Sequence, residues 1–314
     1  MSEPLAVWNG EFVPTSEVSV PIYDGGFVQG STVAEQVRTF SGQLFALDEH
    51  LERLQRSLDC IRVKLPYAMS EVRQWMIRLA ENNHALLDKG DDLALCLFVT
   101  PGPYLSFAAA PGIVPSDRQG PSLVMHTYPL PFQNWVHQYE MGEQLEFVEV
   151  REVPSECWPA ALKCRSRMHY YLADIQAREK NPNARALLLD IHGYLAEAST
   201  ASVFLYREEE GFVAPREEDV LPSISLRTLR QFAKDREVPW VHRRIQPEEV
   251  FDSQEVLLCS TSPCVLPVTQ IDRRPIGTGR PGLRWQELME CWNEYLKLDV
   301  VEQAKLFAVR NGEA

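Results

Sequence analysis

Lys163 follows Ala161 and Leu162 and precedes Cys164, a setting poorly suited to a solvated surface charge. Burial disfavours an ammonium ion and lowers its pKa. A neutral amine is what imine formation with a carbonyl compound requires. The competing reading is a lysine that snorkels from the edge of a core. Downstream, Glu197 stands in Ala196-Glu-Ala-Ser-Thr-Ala-Ser-Val-Phe204, just after a hairpin.

A second group of residues suits an anion. Leu221-Pro222 halts the chain, Ser223 can cap, and a helix is expected from Ile224. The first N–H groups of that helix, with the Ser225 hydroxyl, form a ready phosphate site. Cys259-Ser-Thr261-Ser262 ends a strand expected over 255–259 and offers hydroxyls and amides at a turn. Arg53 lies on the flank of a helical stripe made by Leu51, Leu54, Leu58 and Ile61, from which it can reach an adjoining cleft. Together these would grip a phosphate with one charge and several neutral donors. Taken singly, each has a plainer reading as a helix cap, a Ser/Thr turn or an exposed helix arginine.

These residues need a scaffold. Val7 to Val13 reads as a hairpin around Asn9-Gly10, and 32–40 with 44–46 as another. Asp48 is expected to cap a helix, and Ser70 a second one reaching about Leu87. Strands are expected at 93–99 and 122–127, with a Pro/Gly/Ala-rich loop over 101–120. Pro129-Leu-Pro131 marks a boundary. The expected organisation is a smaller N-terminal α/β domain over 1–128, a linker at 129–134 and a larger domain over 135–314. In the latter, strands fall at 145–150, 185–190, 201–206, 211–214, 255–259 and 265–271. Helices fall at 165–180, 224–237 and 283–297. The pattern is mixed α/β (α+β), too irregular for a TIM barrel or a doubly wound sheet.

Composition narrows the function. Across 314 residues, 45% are hydrophobic and 24% charged, as in an ordinary globular enzyme. No apolar run is long enough to span a membrane, and the first residues lack signal-peptide character. The net charge of −13 carries no basic block, which argues against nucleic acid and anionic membranes as partners. Seven scattered cysteines and seven scattered histidines fit reduced thiols in a cytoplasmic protein without a metal site.

The chain resembles the class IV, or fold-type IV, pyridoxal-phosphate aminotransferases. That group includes branched-chain and D-amino-acid aminotransferases, R-selective amine transaminases and aminodeoxychorismate lyases. The likeness rests on several motifs in order: Asn9-Gly10 followed by Tyr23-Asp-Gly-Gly-Phe-Val-Gln-Gly30; His50-Leu-Glu-Arg53-Leu; Leu162-Lys163, with Glu197 34 residues later; Leu221-Pro-Ser-Ile-Ser225; and Glu255-Val-Leu-Leu-Cys-Ser-Thr261 followed by Leu266-Pro-Val268. It implies a C-terminal pseudo-barrel domain, pyridoxal 5'-phosphate as cofactor and a homodimer. It implies that Lys163 holds the cofactor as an aldimine and then moves a proton between the substrate α-carbon and the cofactor. Glu197 would face the pyridine nitrogen, and Leu221 would lie against the ring. Arg53, Ile224, Ser225 and Thr261 would hold the phosphate.

The substrate end departs from the family pattern. Met168 stands where branched-chain enzymes carry a tyrosine, Pro101 where an arginine is frequent, and Ser223 where glycine is usual. Candidate substrate residues are Tyr23, Arg38, Tyr104, Thr200 and Ser262. Glu35 is a further candidate, as are Arg165 and Arg167. Arg38 is equally readable as a strand charge paired with Glu35 or another acid, and Tyr170-Tyr171 as packing. The leading reading is an aminotransferase acting on an amino acid or amine and a 2-oxo acid. An aminodeoxychorismate-type lyase and a non-catalytic cofactor-binding protein are the alternatives.

Overall fold

The structure, a computed structural model, describes residues 3–115 and 119–312. The chain divides into two compact units. One comprises Met1–Leu130 with Leu162–Ser166, the other Pro131–Ala161 with Arg167–Ala314. The sequence reading placed Lys163 inside an uninterrupted C-terminal domain. Instead, its five-residue stretch is grouped with the N-terminal unit.

The first unit is built on an antiparallel sheet. Among the described residues the strand order is Glu11–Pro14, Leu5–Trp8, Ser122–Pro129, Leu93–Thr100, Val33–Phe40, Gln43–Leu44. Side chains two apart on a strand share a face. Val33 and Val37 thus join Leu95, Leu97 and Val99 in a core with Leu51, Leu54 and Leu58 of the helix Leu47–Cys60 and with Met76 and Leu79 of the helix Met69–His84. Neither expected cap acts as one. Ala46, in a left-handed conformation, precedes the first helix. Asp48 lies inside its first turn, where a carboxylate suits the helix dipole, and pairs with Arg73 at 2.8 Å. The second helix follows Ala68, whose N–H donates to the Glu71 carboxylate at 2.8 Å.

Six strands of the second unit close on themselves. They run Ala201–Arg207, Glu255–Ser260, Cys264–Ile271, Glu143–Arg151, Arg185–Leu189 and Leu195–Ala198, and the last pairs again with the first. This is the pseudo-barrel. Gly211–Ala214 and Trp240–His242 extend it outward from Ala201–Arg207. The expected helices appear as Met168–Lys180, Ile224–Asp235 and Leu283–Leu296. Beyond the expected set, the described residues also form the helices Phe132–Met141 and Val300–Arg310 and a short one, Glu249–Asp252; the first two are the longer. These two meet through the Phe132 and Phe307 rings, 5.3 Å apart. The expected 101–120 loop contains a short helix, Leu105–Ala108, and its residues 116–118 lie outside the described set.

Arg38 is fully buried. Asp92, also fully buried, lies 4.0 Å from its guanidinium, which sits over the Phe40 ring at 3.9 Å and donates to the Thr39 carbonyl at 3.0 Å. A side chain held this way is part of the core, which corrects the expectation that it meets a substrate. Asp92 also accepts from the Thr39 hydroxyl and from the Ser41 and Gly42 amides, so it ties the strand to its hairpin. Removing one partner of a buried pair strands the other, at about 3–5 kcal/mol. Asp92→Ala is therefore expected to lower unfolding free energy by about that amount in a denaturant titration.

Candidate active site

The Lys163 stretch is fixed by backbone pairing. Ala34 N–H donates to the Lys163 carbonyl at 3.0 Å, and Arg165 N–H to the Thr32 carbonyl at 2.7 Å. Val33 and Cys164 thereby form an antiparallel bridge. Lys163 N–H also donates to the Ser57 hydroxyl at 3.3 Å. Lys163 is half-buried, so its position is rigid while its side chain stays reachable.

Behind it, Glu35, His50 and Arg53 form a buried cluster. Arg53 Nε and Nη2 each donate to one Glu35 oxygen at 2.8 Å, and His50 Nδ1 lies 2.7 Å from Glu35 Oε2. Burial alone would raise the Glu35 pKa, but hydrogen bonds from Arg53 and then His50 outweigh it and hold the carboxyl at about 2. Burial lowers the His50 pKa despite Glu35, leaving its Nδ1–H the donor to the carboxylate. Glu35 was weighed for the substrate; it instead orients Arg53. Tyr23 and Tyr104 are drawn together by a 2.8 Å bond from Tyr104 N–H to the Tyr23 carbonyl, and both are half-buried.

In the second unit, Glu197 is 6% exposed. Its Oε1 accepts from Leu221 N–H at 3.1 Å, and its Oε2 from the Tyr170 hydroxyl at 2.8 Å. Burial first, then the nearby Glu197 and Glu152 charges, push the Tyr170 phenol well above its usual range, so it stays a donor. The sequence reading took Tyr170 for packing. Its spacing from Lys163 gave no signal, because its partner comes from a strand 27 residues away. Register aligns Glu197 with Ser202 and Ser202 with Cys259, two residues before Thr261. Burial pushes the Cys259 thiol up to about 12, against a hydrogen bond from Ser223.

The helix Ile224–Asp235 is capped as expected, with Ser223 Oγ accepting from Leu226 N–H at 3.2 Å. The amides of Ile224 and Ser225 have no acceptor among the described residues. Ser225 is 1% exposed, and its hydroxyl is buried without a partner. Unpaired buried donors are costly, and a phosphate would satisfy all three. Within this unit the unpaired donors suit a phosphate group, and Glu197 is a buried carboxylate of the kind a protonated ring nitrogen calls for, a chemistry that fits pyridoxal phosphate. Thr261 and Ser262 are half-buried in the following turn. Thr200 is exposed and its hydroxyl accepts from Arg185 at 2.8 Å. Met168 is exposed. Arg167 precedes the helix Met168–Lys180. Among the described residues, no cluster of three or more His, Cys, Asp or Glu could hold a metal.

Solved structures share this architecture. A branched-chain amino acid aminotransferase from Thermoproteus uzoniensis, with norvaline, superposes with a TM-score of 0.79 at 21% identity, over 98% of this chain and 98% of that one. The Escherichia coli branched-chain enzyme gives 0.83 at 18% identity, over 94% and 95%. The fold is therefore fold type IV. In sequence, a D-alanine aminotransferase of Staphylococcus epidermidis is 25% identical over 292 residues, 92% of this chain and 96% of that protein. That of Bacillus licheniformis is 26% identical over 283 residues, 88% and 91%. The family profile "Amino-transferase class IV" matches residues 32–271. The chain belongs to the class IV aminotransferases and is a pyridoxal-phosphate-dependent enzyme acting on amino acids and oxo acids.

Glu35 and His50 both have folded pKa values below their ordinary 4.5 and 6.5. Their stabilisation is complete above those values and is lost as pH falls through them. Unfolding free energy should fall on acidification below pH 6.5, and more steeply between pH 4.5 and about 2. In Glu35→Gln, followed by denaturant titration across pH, the lower segment of that slope should become shallower. Stability at neutral pH should also drop, because Arg53 loses its buried anion.

Proposed function

We propose that Lys163 and Glu197 are the catalytic pair of this aminotransferase, and that Arg53, Leu221, Ile224, Ser225 and Thr261 hold its cofactor. The observation that carries this reading is the Ser225 hydroxyl, buried and unpartnered beside two free amides at the start of a twelve-residue helix. When bound, pyridoxal phosphate supplies an aldehyde carbon for the lysine amine and a sink for the electron pair left by deprotonation. The Lys163 amine would move the proton of the substrate α-carbon, a role suited to a side chain whose backbone is held at three points. Glu197, held by Tyr170 and Leu221 N–H, would keep a proton on the pyridine nitrogen. The Leu221 side chain would pack on the ring, and Arg53, oriented by Glu35, would supply positive charge to the phosphate.

Tyr23 and Tyr104, joined through their backbones, remain substrate-side candidates, as do Thr200 and Ser262. A homodimer is supported by two exposed apolar surfaces: Ile22 and Phe27 with Leu105 in the first unit, and Met168, Tyr171, Leu172 and Ile175 at helical spacing in the second. A cytoplasmic setting is supported by seven free thiols. No described helix is long and apolar enough to cross a membrane.

The purified protein is expected to show a visible absorbance band that borohydride bleaches, and Lys163→Ala should lose that band while still taking up cofactor. Ser225→Ala should weaken cofactor retention in dialysis by about tenfold to a hundredfold, the worth of one charge-assisted hydrogen bond. Donors should include D-alanine and branched-chain amino acids of both hands. A protein that takes up no cofactor sinks the reading.

A further inference from the structure

The first unit's sheet has a second face, opposite the helices, and its middle is polar. Gln36 pairs with Cys96, and Cys96 with His126, across three adjacent strands. Tyr128 lies two residues beyond His126, and Gln36 Nε2 donates to its hydroxyl at 2.5 Å. Arg165 comes to this row from the stretch after Lys163, and its Nη2 donates to Cys96 Sγ at 2.6 Å. That thiol is a weak acceptor. Arg165 has no carboxylate within ion-pair distance among the described residues.

Several arginines of the chain are answered by carboxylates. Arg53 is held by Glu35, Arg185 by Glu143, Arg207 by Glu210, and Arg243 by Glu210 and Glu249. In a protein of net charge −13, an arginine beside neutral polar groups leaves a local positive charge unanswered. Burial and then Arg165 itself lower the His126 pKa, so the histidine adds no second cation. Burial keeps the Tyr128 phenol protonated. Both are neutral groups able to hydrogen-bond a small anion. Arg165 is exposed, so its fork of donors is accessible, and that fork matches a carboxylate.

We propose that Arg165 is a substrate-binding residue: it receives a carboxylate carried by the amino donor or oxo acid, with His126 and Tyr128 lining the same polar row. The inference rests on Lys163 being the reacting amine, since Arg165 follows it by two residues on a backbone fixed by the Thr32–Arg165 bond. It answers the absence of the family's arginine at Pro101. The carboxylate-binding cation here comes from the lysine segment and not from the loop after Thr100.

The test uses the cofactor-loaded enzyme and the variants Arg165→Ala and Arg165→Lys. The half-reaction is followed by absorbance with alanine, glutamate and 1-phenylethylamine, which has no carboxylate. Arg165→Ala should raise the half-saturating concentration of a carboxylate donor about tenfold to hundredfold, Arg165→Lys by less, and neither should change that of the amine. Loss for alanine and glutamate alike assigns the α-carboxylate, and loss for glutamate alone the side-chain carboxylate. Glutarate, which cannot react, should bind the wild type in calorimetry and bind Arg165→Ala more weakly by the same factor. Unaltered carboxylate and glutarate affinity in Arg165→Ala, at unchanged melting temperature and cofactor content, overturns the proposal. So does an equal loss for the amine. Failure of the Lys163 reading shows separately, as a wild type inert to every donor, and glutarate binding then still decides for or against Arg165.

Discussion

Three backbone hydrogen bonds place the site lysine. Those from Ala34, Lys163 and Arg165 fasten a five-residue stretch to one strand edge and one helix hydroxyl. A proton-transferring amine has to meet a carbon atom at a defined distance, and misplacement by about 1 Å can lower a rate roughly a hundredfold. Lysine has four rotatable side-chain bonds, so rigidity must come from the main chain. The strand that supplies it, Val33–Phe40, also carries Glu35 toward the helix side, where Arg53 and His50 hold it. One strand therefore fixes both the amine and the arginine cluster.

Glu197 is organised on the same logic with different parts. A buried carboxylate is stable only when its oxygens are answered. Here a backbone amide and a phenol answer one each, and both donors are neutral. Where Arg53 pulls the Glu35 pKa down, Tyr170 and Leu221 orient Glu197 without adding an opposing charge.

Much of this was legible in the sequence. The strands expected near 201–206, 255–259 and 265–271 fall close to their places because continuous apolar runs of that length suit a closed sheet. The helix from Ile224 was marked by Pro222 and Ser223, whose roles are local. What stayed hidden depends on distant partners. The helices Phe132–Met141 and Val300–Arg310 stabilise each other across more than half the chain. Arg38 finds Asp92, just ahead of the strand Leu93–Thr100. Its pairing with Glu35 could have been set aside from sequence, since residues three apart on a strand face opposite ways. The expected caps Asp48 and Ser70 failed because each helix starts earlier. The break at Leu162–Ser166 was invisible because strand pairing across units of sequence leaves no local mark.

The Cys259 thiol bears on how long such an enzyme lasts. Aldehydes are trapped by sulfur nucleophiles, and the species that attacks is the thiolate. A cysteine two strands over from Glu197 would be a standing source of self-poisoning if it ionised near neutral pH. With its pKa pushed up to about 12 and its side chain sealed in the sheet, it is chemically quiet. The closed strand ring that aligns Glu197 with Cys259 through Ser202 also keeps that sulfur buried and out of reach of a carbonyl compound.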